Sequence, residues 1–105
     1  FVLATLAHEL THVYDLKEKL SFSKDYRRLV GGRLSWWKNR GRGVLMNQNF
    51  DSSPDAYEFE NLRENLAVNM EYFLLDKDYK CRRPAMYNYL SQKFSIRPES
   101  NDCSN

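Results

Sequence analysis

The pentapeptide His8-Glu9-Leu10-Thr11-His12 constrains this chain more than any other stretch. On an α-helix, residues four apart stand one above the other on the same face. His8 and His12 can therefore offer two imidazoles to one divalent ion while Glu9 projects beside them. Neutral imidazole nitrogens bind zinc at roughly 2.0–2.1 Å, and zinc with an open fourth position lowers the pKa of a bound water to about 7. A carboxylate within reach of that water can take its proton and pass it on. Both histidines of the chain fall in this one pentapeptide. The surroundings suit a helix: Val2, Leu3, Leu6, Ala7, Leu10, Val13 and Tyr14 recur at three- and four-residue spacing, with no Pro or Gly before Gly31. The pattern predicts an amphipathic metal-binding helix over residues 1–20.

Beyond it, Ser21-Phe22-Ser23 breaks the pattern, and Ser23 can cap a short helix running to Val30, which Gly31-Gly32 would end. Residues 31–51 carry Trp36-Trp37 and the run Asn39-Arg40-Gly41-Arg42-Gly43, which reads as a loop or a small β-hairpin, with the tryptophans anchoring it. Ser52-Ser53-Pro54-Asp55 is a helix start, and Phe59, Leu62, Leu66, Met70, Phe73 and Leu74 extend a long helix over residues 54–76. Pro84 can open a further helix over residues 84–94, with Met86, Tyr89, Leu90 and Phe94 inward, and residues 98–105 form a polar tail. The fold class expected is mainly α.

Two imidazoles leave a catalytic zinc one protein ligand short of three. A ligand close behind the pentapeptide would need a Gly three residues after His12 and a His at six; Asp15 and Glu18 stand there instead. The remaining source is a glutamate on a second helix. Glu60, Glu64, Ala67 and Glu71 share one strip at the border of that helix's apolar face. Glu64 is favoured because Ala67, one turn on, lets two helices approach closely; Glu60, Glu71 and Glu18 are the alternatives. Asp15 could accept the second ring N–H of a ligating imidazole or cap nearby backbone, and Asn65 or Asn69 could support the site in a similar way. Tyr79, Tyr87, Tyr89, Arg82 and Arg83 read as packing and surface charge before they read as oxyanion donors.

The 105 residues make one domain at most, with a single modest core. Sixteen basic and 14 acidic residues nearly balance at +2, which argues against a dedicated nucleic-acid binder; the local runs Arg27-Arg28, Lys38–Arg42 and Lys80–Arg83 read as solvated charge. The opening Phe1-Val2-Leu3-Ala4 supplies neither a secretory leader nor a membrane span, so the chain reads as starting inside an element of a larger protein. Cys81 and Cys103 enclose a loop that a disulfide would stabilise by about 3 kcal/mol. Their even count suits an oxidising compartment, and two free thiols suit a reducing one equally.

His8-Glu-Leu-Thr-His12 followed by Glu64-Asn-Leu-Ala67 resembles the gluzincin zinc metallopeptidases, in which HExxH is joined by a downstream ExxA helix. The resemblance implies a zincin-like helical core with Zn2+ held by His8, His12 and Glu64, and Glu9 as general base and then acid. It also implies a small β-sheet ahead of the motif helix, which this sequence does not contain. The string from Glu64 to Asp76, continued by Asp78-Tyr-Lys-Cys-Arg-Arg-Pro84, is similar to bacterial envelope proteins of unknown function. The expectation is a zinc-dependent hydrolase acting on a peptide or protein substrate in the cell envelope or periplasm, with no nucleic-acid partner and no membrane contact through this segment. The alternative expectation is a catalytically inactive, metal-stabilised binding or scaffolding domain.

Overall fold

The computed structural model describes residues 2–30 and 60–103, and these residues are mainly helical. Helix α1 spans Val2–Glu18 and is followed by a 3-10 turn at Leu20–Phe22. Helix α2 covers residues 24–30, α3 spans Leu62–Leu75, α4 is the single turn Tyr79–Arg82, and α5 spans Pro84–Phe94. Helix α3 is the hub: α1 lies along it, and the 3-10 turn, α4 and α5 all touch it. The core gathers around it from Leu20, Tyr26, Val30, Leu66, Met70, Phe73, Tyr79, Met86, Tyr87 and Leu90. The 31–51 loop or hairpin and its tryptophans lie outside the described residues.

The end of α1 is set by side-chain chemistry. Lys19 takes the left-handed conformation (φ 56°), its N–H bonding to the Asp15 carbonyl at 2.7 Å. The Asp15 carboxylate then accepts the Ser21 N–H at 2.8 Å and the Ser21 hydroxyl at 2.6 Å, turning the chain back toward α3. Asp15 thus caps backbone and does not support an imidazole. Ser23 caps α2 as expected, its Oγ accepting the Tyr26 N–H at 3.2 Å.

Helix α3 begins later than residue 54. Asn61 is fully extended (φ −167°, ψ 176°) and its Oδ1 accepts the Glu64 N–H at 2.9 Å, so Asn61 is the N-cap and the expected 54–76 helix does not run unbroken: α3 is Leu62–Leu75, and the stretch 54–59 lies outside the described residues. Pro84 occupies the start of α5 as anticipated.

Most of the apolar stripe of α1 is turned to solvent, and Tyr14 is the member of it that packs against the core. Val2, Leu3, Leu6, Leu10, Val13 and Leu16 are each more than half exposed. Helix α1 instead packs through its small and polar side: Thr11 and Asp15 are buried, while Ala4 lines a cleft together with Glu71, Tyr72 and Leu75. Small residues here bring the two backbones together and turn the histidines toward α3.

The tail is held in place. Cys81 and Cys103 form a disulfide, Asn101 donates its N–H to the Lys77 carbonyl and its amide to Asp78, both at 2.8 Å, and the Tyr87 hydroxyl donates to the Pro98 carbonyl at 2.7 Å. No helix among the described residues is long and apolar enough to cross a membrane.

Candidate metal centre

The four-residue spacing stacks His8 and His12 on the inner side of α1, their ring centroids 4.8 Å apart and nearly perpendicular. Thr11, buried on the flank of the pair, satisfies its hydroxyl on the Ala7 carbonyl at 2.7 Å. Opposite stands the first turn of α3. Glu64 reaches across so that one oxygen, Oε1, lies 2.9 Å from His8 Nε2 and 3.1 Å from His12 Nε2. Two turns further along α3, Glu71 hydrogen-bonds the other ring nitrogen, His8 Nδ1. All four side chains are mostly shielded from solvent, with at most 20% of any of them exposed.

Ala67 makes this approach possible. It lies on the same strip of α3 as Glu64 and Glu71 and is fully buried, so no longer side chain separates the carboxylates from α1.

The electrostatics follow from the geometry. Burial acts to lower the His8 pKa, but hydrogen bonds to Glu71 and Glu64 and the negative charge of both outweigh it, and the imidazole titrates above its ordinary 6.5.

His8, His12 and Glu64 could hold a metal ion, since one ligand atom from each lies within 4.8 Å of the others. The donor set, two imidazoles and a carboxylate, is that of open zinc sites. Ligand atoms around tetrahedral zinc stand roughly 3.3 Å apart, given bonds of about 2.0–2.1 Å. The two separations from Glu64 Oε1, 2.9 and 3.1 Å, need to open by only a few tenths of an ångström, and the third, between the imidazoles, lies within 4.8 Å. Glu9 is exposed, and successive residues turn by about 100°, which places it beyond His12 on the solvent side of the pair.

The other candidates sort cleanly. Glu60 is exposed in the bend before α3, and Glu18 is exposed at the end of α1; neither belongs to the cluster. Glu71 does reach the site, but at the far nitrogen of His8. Asn65 and Asn69 serve the core instead: the Tyr26 hydroxyl donates to Asn65 Oδ1, the Asn69 amide donates to the Asn65 carbonyl at 2.8 Å, and Asn69 Oδ1 accepts from the Tyr79 hydroxyl at 2.5 Å and from Arg83 at 3.1 Å. Arg82 pairs with Asp76 at 3.1 Å. Sequence reasoning placed Glu71 among possible ligands but missed its place behind His8. The available signal was its seven-residue offset from Glu64, two turns on the same face.

A family described as a domain of unknown function, DUF7844, matches residues 17–103. The matched stretch includes Glu64, Glu71 and both cysteines, and His8 and His12 precede it. No curated protein and no solved structure matches the chain.

Proposed function

The chain belongs to the DUF7844 family, a domain of unknown function, and from its side-chain geometry we propose that it is a zinc-dependent hydrolase cleaving a peptide or other amide bond. The observation that carries the reading is the convergence of His8 Nε2, His12 Nε2 and Glu64 Oε1 from two packed helices. The packing of α1 on α3 supports a zincin-like core.

Zinc held by these three side chains supplies Lewis acidity, polarising a carbonyl and lowering the pKa of water to about 7. The remaining work falls to the protein. Glu9, next to His8 and on the open side of the pair, takes the proton of the attacking water and returns it to the departing amine. Glu64 contributes one negative charge as well as a ligand atom. Both imidazoles bind through an unprotonated Nε2, so proton and metal compete for that nitrogen.

The disulfide between Cys81 and Cys103 supports an oxidising location such as the bacterial cell envelope or periplasm. The substrate on this reading is a peptide or protein.

Metal analysis of the purified chain, beside His8→Ala and Glu64→Ala variants, tests the reading. One zinc per chain, lost in both variants, is the expected result. A folded wild-type chain that takes up no zinc ends it.

A further inference from the structure

We infer that Glu71 is a positioning residue for this centre: its carboxylate accepts the Nδ1 proton of His8 and thereby turns the Nε2 lone pair toward the point shared with His12 and Glu64. The inference rests on the zinc reading above and adds to it a residue that binds no metal itself.

A neutral imidazole has one N–H and one lone pair, and the partner of one nitrogen decides which role the other plays. His8 has a carboxylate at each end of its ring, Glu71 at Nδ1 and Glu64 at Nε2. At the Nε2 end a second imidazole shares the same carboxylate oxygen, with His12 Nε2 3.1 Å from it, and among the described residues it is this group that could hold an ion. The metal side of the ring is therefore Nε2, and the proton belongs on Nδ1, facing Glu71.

The seven-residue offset makes this geometry possible. Seven residues are two turns less about 20°, so Glu64 and Glu71 leave α3 on the same side, about 10.5 Å apart along the axis. The His8 ring stands in the gap between them, and buried Ala67 leaves the gap open. Charge points the same way. A divalent ion with Glu64 alone carries a surplus of one, and the Glu71 carboxylate, shielded from water at 16% exposure, cancels it through the ring.

The two ligating histidines are thereby unequal. His12 Nδ1 is buried and has no hydrogen-bond partner among the described residues. His8 is the ring with a prepared orientation, and Glu71 is what prepares it.

The test uses the whole 105-residue chain, zinc alone as the probe, and two readouts: affinity by competition with a chromogenic chelator, and long-range 15N–1H spectra of the histidine rings. In zinc-loaded wild type, the His8 ring should show a protonated Nδ1 and a metal-bound Nε2. Glu71→Met should still bind one zinc but 10- to 100-fold more weakly, with Glu71→Gln, which keeps an acceptor, falling between. Wild-type affinity in Glu71→Met overturns the inference and leaves the zinc reading standing. Complete loss of zinc from a folded Glu71→Met, matching His8→Ala, overturns it as well, because Glu71 would then be a ligand. If Glu71→Met does not fold, the wild-type ring spectrum decides alone, and metal bound through His8 Nδ1 refutes the assignment. A wild-type chain without zinc affinity overturns both readings.

Discussion

Asp15 grips Ser21 twice, by its backbone N–H and by its hydroxyl, and this clamp fixes where helix α1 stops. The residue is one turn past His12, yet its carboxylate points away from the imidazoles. Asp15→Ala should therefore cost stability, about 1–3 kcal/mol for the loss of buried charge-assisted hydrogen bonds, and leave zinc affinity unchanged in the folded fraction. Denaturant unfolding and zinc titration on the same samples separate the two effects. A large loss of zinc affinity with little loss of stability would place Asp15 at the metal.

Glu9 offers the converse case. It is exposed and outside the ligand cluster, so Glu9→Gln should keep both fold and zinc while hydrolysis falls by about 100- to 10,000-fold, the range for removal of a general acid–base group. Zinc content and turnover of an amide substrate are the paired measurements. Full activity in Glu9→Gln would exclude it as the base.

The raised pKa of His8 has a definite sign in the stability of the metal-free chain. A group whose pKa is higher folded than unfolded contributes stability that is fully present below 6.5 and is lost as pH rises through the folded value. Zinc-free wild type should thus lose stability across that window relative to His8→Gln, in denaturation midpoints taken from about pH 5 to about pH 9. Zinc affinity should run the other way and weaken as pH falls, because proton and metal compete for the same nitrogen. A flat difference between wild type and His8→Gln would contradict the assignment.

Ala67 sets the distance between the two helices. Ala67→Leu should destabilise by about 1–3 kcal/mol through overpacking and should also weaken zinc binding, because the added side chain separates Glu64 from the histidines. Thermal unfolding with and without zinc tests both parts: the zinc-induced rise in midpoint should shrink in the variant. An undiminished rise would show that the strip tolerates more room than its burial implies.

Neither Cys81 nor Cys103 belongs to the ligand cluster. Replacing Cys103 with Ser should lower stability by about 3 kcal/mol on loop-entropy grounds and leave zinc stoichiometry at its wild-type value. A change in zinc stoichiometry would mean that the tail and the site are coupled.

How much of this was legible beforehand differs residue by residue. The opening helix followed from its spacing, and Glu64 followed from its place beside a small residue on the second helix. The direction of the apolar stripe on α1 was not legible, because periodicity marks a face without saying which neighbour covers it. The break at Asn61 was not legible, because the apolar spacing runs on through it and an Asn cap shows itself only when its side chain meets the Glu64 N–H. Glu71 was visible only as one acid among three: which ring nitrogen it would meet depends on how α1 is rotated, and that is a tertiary fact.

The hydrogen-bonded chain from Tyr26 through Asn65 and Asn69 to Tyr79 and Arg83 has a final consequence. It threads the interior beside α3 and binds that helix to α2, α4 and the residue before α5. Rotating α3 by a single residue would strand its amides in an apolar interior, each at a cost of about 1–3 kcal/mol. The interior therefore works as a keyway, and by refusing that rotation it keeps Glu64 and Glu71 aimed at the neighbouring histidines whether or not a cation is there to hold them.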